Sequence, residues 1–567
     1  MCPMSQFGCS FSRRDLLRMG AAASALPWAC STGSQSEGAA KRPNIIVTMA
    51  DDMGFSDIGC YGGEINTPVI DSLAANGLRF RSFYNYARCC PTRASLVTGL
   101  YPHQAGVGHM MSEFRKDGEP IPSYMGNLNK SCVTFAEVLK SAGYTTLMSG
   151  KWHVTPAEGS GAKVDRSNWP MQRGFDKFFG TIHGAGSFYD PVSLTRGNDP
   201  EDPGPDFYYT TAIGDNASQF IDEALDENPD APFFLYMSFT SPHWPLHAPD
   251  EAIAKYKGRY DMGWDALREE RLQRMREMGV LDETAGMSDR DPSQLPWDQA
   301  PDKEWQARRM EVYAAQVELM DEAIGNVVDT LKERGELDNT LILFLADNGG
   351  CAEEARDTWR ALHIPTETYA GEPVAVGNDP AIMPGAEENY QSYGIPWANV
   401  SNTPFRYYKH YVHEGGISSP LVAHWPDGIT STGGWTDHVG HLIDIMTTCA
   451  DVAGATYPET YNGHQIQPME GASLAPVFTG DSARGHPEGL FWEHEGNRAA
   501  RSGKWKLVSK WSKPEEGRWE LYDLEQDRSE LNDLAAEMPE RAAELAGMWD
   551  AWAERVGVIE WRSWDPR

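Results

Sequence analysis

Residues 89–99 read CCPTRASLVTG, and this run decides how the rest of the chain is interpreted. Pro91 suits the first turn of a helix and Gly99 suits its end, so the run predicts a short helix beginning beside Cys89. Free N–H groups and the helix dipole favour an anion at that end. Arg93 lies one turn after Cys89 and shares its face. The run therefore indicates a reactive cysteine beside a fixed cation; the alternative is a buried cysteine pair before an ordinary helix.

Two apolar runs predict buried strands, and each ends in side chains that can bind a cation. The strands are predicted over Asn44–Ala50 and Thr340–Ala346. Oxygen-bearing side chains follow them, namely Asp51 and Asp52 after the first strand and Asp347 and Asn348 after the second. Ligand sites in open α/β sheets lie at the carboxyl ends of strands, and an all-oxygen set selects Ca²⁺ or Mg²⁺ over zinc. One such pair alone is also typical of an exposed turn, but the second pair favours a cation site.

Lysine and histidine residues follow two further predicted strands. A strand over 144–148 runs into Lys151 and His153, which project to the same side of an extended segment. Another strand, over 232–239, runs into His243, which neighbouring prolines hold rigidly. The alternative for each is a surface lysine or a packing histidine. Their position at strand ends favours a place in the same site.

These motifs, with Lys409 after the segment NTPFRY, resemble the signatures of the type I (formylglycine-dependent) sulfatases, arylsulfatase-like enzymes of the alkaline phosphatase superfamily. The resemblance covers most of residues 43–555 and includes the patterns C-x-P-[ST]-R-x₄-T-G, G-K-[WH]-H and S-P-H-x-P. It implies that Cys89 is oxidised to Cα-formylglycine, whose hydrated aldehyde is the nucleophile. The catalytic residues that it implies are Cys89, Arg93, Lys151, His153, His243 and Lys409, and the implied metal ligands are Asp51, Asp52, Asp347 and Asn348.

The resemblance also implies the chemistry of the site. Ca²⁺, with Mg²⁺ as the alternative, draws electron density from the sulfate oxygens, and Lys151 and Lys409 complement the sulfuryl charge. Asp347 helps to deprotonate the attacking hydroxyl, His243 protonates the leaving alcohol, and His153 takes a proton so that the second hydroxyl can expel sulfate. The implied partners are a sulfated carbohydrate or small sulfate ester as substrate and a formylglycine-generating enzyme during maturation. Candidate substrate contacts are His103, Trp152, Trp244 and His494.

The order of predicted elements and the resemblance give an α/β fold. We expect an alkaline-phosphatase-like, mixed but mostly parallel central sheet sandwiched by helices, with a smaller C-terminal antiparallel sheet and one helix. The expected divisions are a leader over 1–42, a catalytic domain over 43–485 and a subdomain over 486–567. A long helix is predicted over Trp305–Gly335. The remaining long stretches were predicted to be irregular: loops over 155–230 and 351–400, and a surface insertion over 250–305.

The first residues and the overall charge bear on location and partners. Residues 12–18 read SRRDLLR, a twin-arginine pattern, and the apolar run after them is too short to span a bilayer. This predicts export by the twin-arginine route to the periplasm or beyond, with no transmembrane segment. Cys30 is a candidate for lipid attachment, and cleavage after Ala25 or Ala29 is the alternative. The net charge of −33 argues against a nucleic acid partner, and the scattered cysteines indicate neither a disulfide scaffold nor a zinc motif.

Two other functions remain open at this point. One is a phosphodiesterase or phosphonate hydrolase of the same superfamily, some members of which share the modified cysteine and similar metal ligands. The other is a non-catalytic protein that binds sulfated glycans on a decayed scaffold. A decayed site should have lost the nucleophile or a ligand, and the sequence retains every motif residue.

Overall fold

A computed structural model describes residues 41–156, 165–481, 485–512 and 517–561. The predicted leader lies outside these residues except for its last two positions. Within the described ranges, no helix combines the length and the apolar character that crossing a membrane requires.

An eleven-stranded sheet forms the centre of the fold. In chain order its strands are β1 (Asn44–Ala50), β2 (Leu78–Tyr84), β3 (Thr145–Gly150), β4 (Lys177–Thr181), β5 (Leu194–Arg196), β6 (Asp199–Pro200), β7 (Phe233–Ser238), β8 (Thr340–Ala346), β9 (Ser418–Ser419), β10 (Leu421–His424) and β11 (Gly434–His441). The spatial order is β9-β2-β10-β8-β1-β7-β3-β4-β5-β6, and β11 also pairs with β2. The run β8-β1-β7-β3-β4 is parallel throughout. The predicted mixed, mostly parallel sheet is therefore confirmed.

Helices cover both faces of this sheet, which is why its central strands are apolar without interruption. Alternate residues of β1 face two separate cores, with Val47 in one and Ile46 in the other. The helices of eight residues or more are α1 (Pro68–Ala75), α2 (Cys89–Thr98), α3 (Tyr209–Glu227), α4 (Gly263–Glu277), α5 (Lys303–Arg334), α6 (Gly394–Ser401), α7 (Ile443–Val452) and α8 (Pro539–Val556), to which Phe135–Ser141 adds a shorter one. The long helix predicted from Trp305 is thus confirmed as α5.

The prediction of loops over 155–230 was wrong, because this stretch holds β4 and the nineteen-residue helix α3. Gly214 lies inside that helix, where glycine weakens helix propensity. A Cβ at Gly214 would lie 2.8 Å from the carbonyl oxygen of Ala323 on α5, so the glycine permits close packing of the two helices. Gly214, which makes this helix difficult to predict from the sequence, is therefore required for the packing of α3 against α5.

The surface insertion predicted over 250–305 was also wrong, because α4 inside it packs into the core. Trp264 and Leu267 are buried there. Arg271 of the same helix is fully buried and donates to Asp57 Oδ1 at 2.7 Å and to Glu64 Oε2 at 2.8 Å. The charges of this segment therefore include one that is neutralised inside the protein rather than solvated.

We expect Arg271→Ala to lower the free energy of unfolding by about 3–5 kcal/mol, because it leaves two buried carboxylates without their cation. Chemical denaturation measures the change. Lys332→Ala is the matched control, since Lys332 pairs with Asp329 on the surface, and its expected effect is within about 0.5 kcal/mol. Equal effects of the two substitutions would contradict the assignment of Arg271 to the core.

The C-terminal region forms a four-stranded antiparallel sheet with one helix, as predicted. Its strands, in spatial and chain order, are β12 (Leu490–His494), β13 (Asn497–Ser502), β14 (Trp505–Ser509) and β15 (Glu520–Asp523), and α8 packs on them. Trp492 donates from Nε1 to the carbonyl of Asn85 at 2.8 Å, just before α2. Buried Lys506 contacts Glu414 and Glu530 at 2.8 Å each. The domain boundary at 485/486 stays a prediction.

Candidate active site

The register of the central strands brings the oxygen-bearing side chains together. Ala50 of β1 lies opposite Ala346 of β8 in parallel pairing, so the residues that follow each strand are neighbours. The amide of Asp52 donates to Asp347 Oδ1 at 3.1 Å, and Asn348 Nδ2 donates to Asp52 Oδ1 at 2.7 Å. Asp51 and these three side chains are all at most 1% exposed. They form one buried group at the carboxyl edge of the sheet.

Helix α2 starts at Cys89 and ends at Gly99, whose φ of 69° is left-handed. Its placement depends on Thr92, which donates from Oγ1 to the carbonyl of Asp347 at 2.7 Å. Arg93, fully buried one turn after Cys89, donates to Asp347 Oδ2 at 2.8 Å and also to the hydroxyl of Ser238. The helix start predicted from the sequence is therefore fixed directly against the acidic group.

Two lysines and a histidine approach the same acids from other loops. Lys151, the residue after β3, places Nζ 2.5 Å from Asp51 Oδ2. Lys409 places Nζ 2.8 Å from Asp52 Oδ1 and 3.3 Å from His243 Nε2. His243 Nε2 itself lies 3.3 Å from Asp52 Oδ2. Cations thus surround the acidic group on its pocket side.

Cys89 lies in a polarising environment. A hydrogen bond from Cys90 and the charge of Lys151 outweigh burial and lower the pKa of the Cys89 thiol well below its usual value. Burial raises the pKa of the Cys90 thiol, which lies 3.2 Å from His153 Nε2. Burial also lowers the pKa of His153 well below its usual value. The two cysteines are therefore chemically distinct, and Cys89 is the one whose surroundings favour the thiolate form.

The acidic group fits a hard divalent cation. Burial raises the pKa of Asp51, and burial together with the charge of Asp51 raises that of Asp347 well above its usual value. Burial also acts to raise the pKa of Asp52, but the charges of His243 and Lys409 outweigh burial, so the pKa of Asp52 is lowered. Asp51 Oδ1 and Asn348 Oδ1 are buried and accept no hydrogen bond from any described residue. Crowded carboxylates and two unused oxygens match the ligand preference of Ca²⁺ or Mg²⁺.

A cavity of about 270 Å³ opens onto these residues. Cys89, His153, His243 and Lys409 reach it from the sheet side. Its other walls are mostly apolar, aromatic and histidine side chains, chiefly Met110, Met111, His183, Trp244 and His363, together with Glu353. Every residue predicted for catalysis or metal binding therefore lines this cavity or lies directly beneath it.

Comparison with known proteins agrees with this geometry. The sulfatase family profile matches residues 43–455, and a profile for the C-terminal region of N-sulphoglucosamine sulphohydrolase matches 405–549. The chain belongs to the sulfatase family. It is a sulfuric ester hydrolase.

Named relatives and solved structures extend this similarity over most of the chain. An uncharacterized sulfatase of Schizosaccharomyces pombe is 35% identical, with 92% of this chain and 95% of the relative covered. The arylsulfatase of Klebsiella aerogenes is 32% identical over 77% of this sulfatase and 92% of its own length. The crystal structure of Ps i-CgsB in complex with k-i-k-neocarrahexaose has a TM-score of 0.62 at 24% identity, covering 90% of this chain and 93% of that one. The last likeness supports the fold.

Three of the four residues predicted to contact substrate in this sulfatase do not line the cavity. His103 is buried against Glu493 at 3.0 Å, and Trp152 is fully buried with its Nε1 donating to the carbonyl of Asn168 at 2.7 Å. His494 is fully buried in a separate cluster. Only Trp244 lines the cavity. Sequence neighbourhood suggested these residues, but the backbone turns their side chains into the core.

Sequence reasoning missed part of the cavity wall. Glu353 accepts from Arg88 at 2.9 Å and from Trp244 Nε1 at 2.9 Å, and Arg88 outweighs burial to lower the pKa of Glu353. His183 and His363 stack with ring centroids 4.7 Å apart. Glu353 and His363 come from the part of 351–400 that precedes α6; the prediction that all of 351–400 is irregular was wrong, because α6 begins within it. His183 follows β4 inside the stretch for which loops were predicted. The sequence offered one signal that Glu353 belongs to the cavity wall. Glu353 lies three residues after Gly350, close to the end of a strand that is followed by site residues.

Proposed function

We propose that this sulfatase hydrolyses sulfate monoesters of carbohydrates by S–O cleavage, with a formylglycine hydrate derived from Cys89 as nucleophile. The observation that carries the proposal is the convergence of Cys89, Arg93, Lys151 and Lys409 on one buried oxygen-rich group beside a cavity. A sulfate ester is an anion. In the described chain, cationic side chains, the start of a helix and Cys89 come together here, and these are the groups that can bind such an anion and react with it.

Asp51, Asp52, Asp347 and Asn348 would hold a Ca²⁺ ion, with Mg²⁺ as the alternative. Such an ion polarises the non-bridging sulfate oxygens as a Lewis acid. The balance between cationic and anionic side chains in the site supports the binding of a divalent cation. The site has four cationic side chains, Arg88, Arg93, Lys151 and Lys409, and as many carboxylates, Asp51, Asp52, Asp347 and Glu353. A divalent cation makes the balance positive, which an anionic substrate requires in a protein of net charge −33.

The formylglycine hydrate supplies one hydroxyl for attack on sulfur and a second that allows the aldehyde to be regenerated. Around it, Lys151 and Lys409 hold the sulfuryl oxygens, and Arg93 fixes the start of α2 against Asp347. His153, which lines the cavity beside residue 89, would accept a proton from the second hydroxyl. These groups are already in position, so little reorganisation accompanies the reaction.

His243 is placed to protonate the leaving alcohol from Nε2. Its Nδ1 lies 2.5 Å from the carbonyl of Trp244, which fixes the ring with Nδ1–H as donor. Burial lowers the pKa of His243 to about 4. A bound sulfate ester opposes that shift, because negative charge stabilises the imidazolium. Substrate binding therefore raises the pKa of His243 toward the range in which it can supply a proton to the leaving group.

We expect His243→Ala to discriminate between leaving groups. A carbohydrate alcohol needs a proton as it leaves, so its kcat/KM should fall by about 10²–10⁴-fold. A nitrophenolate leaves without one, and its loss should be much smaller. His247→Ala is the matched control, because His247 is fully buried and its Nε2 lies 2.7 Å from a backbone carbonyl outside the reaction path. If His243→Ala lowers kcat/KM equally on both substrates, His243 does not protonate the leaving group and has a packing role instead.

The carbohydrate assignment draws on two further observations. The cavity offers stacked histidines and Trp244 as a wall for a ring-shaped alcohol. Among solved structures of similar fold, one holds k-i-k-neocarrahexaose and another, a structure of BT4656 with a TM-score of 0.57 and 22% identity covering 91% of this chain and 98% of that one, holds D-glucosamine-2-N,6-O-disulfate. An arylsulfatase relative makes a small aryl sulfate the alternative.

A substrate panel tests the proposal. Sulfated galactan and glycosaminoglycan oligosaccharides, 4-nitrocatechol sulfate and bis(4-nitrophenyl) phosphate are incubated with the enzyme, and released sulfate or nitrophenol is measured. We expect the highest kcat/KM on a sulfated oligosaccharide. Faster turnover of the phosphate diester than of every sulfate ester would instead favour a phosphodiesterase. Cys89→Ala prepared in parallel excludes a contaminating enzyme.

We also propose that the enzyme is exported folded by the twin-arginine route and acts in the periplasm or outside the cell. Residues 1–42 fused to a reporter should direct it out of the cytoplasm, and Arg13→Lys combined with Arg14→Lys should abolish this. Continued export of the double variant would contradict the route. The mass of the mature N-terminus decides between lipid attachment at Cys30 and cleavage after Ala25 or Ala29.

A further inference from the structure

A second cluster of metal-binding side chains lies outside the active site. We call it the histidine cluster, and it consists of His109, His410, His494 and Glu495. Glu495 Oε1 lies 2.7 Å from His109 Nε2, and Glu495 Oε2 lies 3.2 Å from His410 Nε2. A ligand atom from each of His410, His494 and Glu495 lies within 4.8 Å of the other two. Two imidazoles and one carboxylate therefore surround a single small space, and a third imidazole, that of His109, contacts the other oxygen of the same carboxylate.

His494 has no role that packing alone explains. It is fully buried, and neither of its ring nitrogens has a hydrogen-bond partner among the described residues. Leaving buried polar atoms unpaired costs about 1–3 kcal/mol, and such atoms normally have a partner. Burial lowers the pKa of both His494 and His410, which favours the neutral form of their rings. Neutral imidazole is the form that binds metals.

Aromatic rings cover the side of the cluster formed by His109 and His494, whereas the His410 side chain is 33% exposed. The ring of His109 stacks on that of His494 at 5.7 Å, and it packs against Phe114 at 5.0 Å and Trp561 at 5.2 Å. Such an apolar cover excludes competing water and strengthens the interaction of a cation with its ligands.

We propose that the histidine cluster binds a divalent transition metal ion, with Zn²⁺ as the best match to three imidazoles and one carboxylate. In a tetrahedral site with bonds of about 2.0 Å, ligand atoms are about 3.3 Å apart. The contacts of Glu495 with His109 and His410 are already that short, and a ligand atom of His494 lies within 4.8 Å of those of His410 and Glu495, so His494 would have to move closer on metal binding. The ion would replace the protons that now lie between Glu495 and its neighbours. This set of ligands differs from the all-oxygen group under the cavity, so the two sites select different metals.

The position of the cluster gives the metal a structural task. His410 directly follows Lys409, and its amide donates to the carbonyl of Ala87, two residues before Cys89, at 2.7 Å. Ala87, His410 and Glu495 all have positive φ values, 61°, 87° and 49°, which non-glycine residues adopt only when their surroundings hold them. Glu495 and His494 belong to the C-terminal sheet region. The metal would clamp that region to the two loops that carry Lys409 and Cys89.

Cobalt binding tests this inference directly. The enzyme is stripped with a transition-metal chelator in excess Ca²⁺ and titrated with Co²⁺, whose visible absorption reports tetrahedral nitrogen and oxygen ligands. We expect one Co²⁺ per chain, displaced by Zn²⁺, in the wild type and none in His494→Ala. His464→Ala is the matched control, because His464 is exposed on the surface, and it should bind as the wild type does.

Three further variants keep the test decisive. If His494→Ala fails to fold, His109→Gln and His410→Gln, which alter less deeply buried ligands, should each weaken Co²⁺ binding at least about tenfold. Asp51→Asn, which alters the all-oxygen group, should leave the Co²⁺ spectrum unchanged. Added Zn²⁺ should raise the Tm of the stripped wild type but not that of the cluster variants. No absorbance change in the wild type, or the same change in His494→Ala, would overturn the inference.

Discussion

Cys89→Ala is expected to abolish sulfate release, with a fall in kcat of at least about 10³-fold, while the protein stays folded. The reason is that no other described nucleophile lies at the start of α2 facing Lys151, His153 and the cavity. The side chain is small, so its replacement by alanine removes little packing. Steady-state kinetics and near-UV circular dichroism measure the two halves of the prediction.

Cys90→Ala is the matched control, because the neighbouring cysteine is equally buried and contacts the same histidine. It should retain most of the activity, since Cys90 does not line the cavity. Mass spectrometry adds a second readout. The peptide that contains residue 89 should carry an aldehyde that reacts with a hydrazide, and residue 90 should remain a thiol. Full activity in Cys89→Ala, or full activity of a wild type that holds only thiols, would remove the proposed nucleophile.

The site was largely predictable because its residues follow strands, and buried parallel strands are conspicuous in sequence. The predicted β8 matches the structure residue for residue, and β1 does too. The two strands had to be adjacent for the acids to meet, and their pairing with Ala50 opposite Ala346 is a tertiary fact that no local pattern encodes. The motif resemblance supplied that link before the register was known.

What the sequence did not reveal depends on long-range contacts. Helix α3 carries Gly214, and its local composition resembles a loop until the packing against α5 is known. Arg271 looks like one more surface charge until Asp57 and Glu64 are placed beside it. The histidine cluster joins residues from 109 to 495, far beyond any spacing that a motif search examines. These features arise from the assembled fold rather than from adjacent residues.

Removal of the divalent cation is expected to lower kcat by at least about 10³-fold, the equivalent of several kcal/mol of transition-state stabilisation. Added Ca²⁺ should restore activity to the chelated wild type. It should not restore Asp347→Asn, because asparagine keeps the shape but loses the charge that faces both the ion and Arg93. Asp329→Asn, which changes a surface carboxylate, is the control. Calcium content by elemental analysis and kcat are measured on the same samples.

The pH dependence of this metal effect follows from the raised pKa of Asp347, which burial and the charge of Asp51 produce. Without metal, Asp347 holds a proton at pH values where an ordinary aspartate has lost it. Metal binding must displace that proton, so the affinity for Ca²⁺ weakens as pH falls and strengthens as pH rises. The increase in Tm on adding Ca²⁺ should therefore grow with pH in the wild type and be absent from Asp347→Asn. A Ca²⁺-induced increase that is independent of pH, or equal in the two proteins, would place the ion away from Asp347.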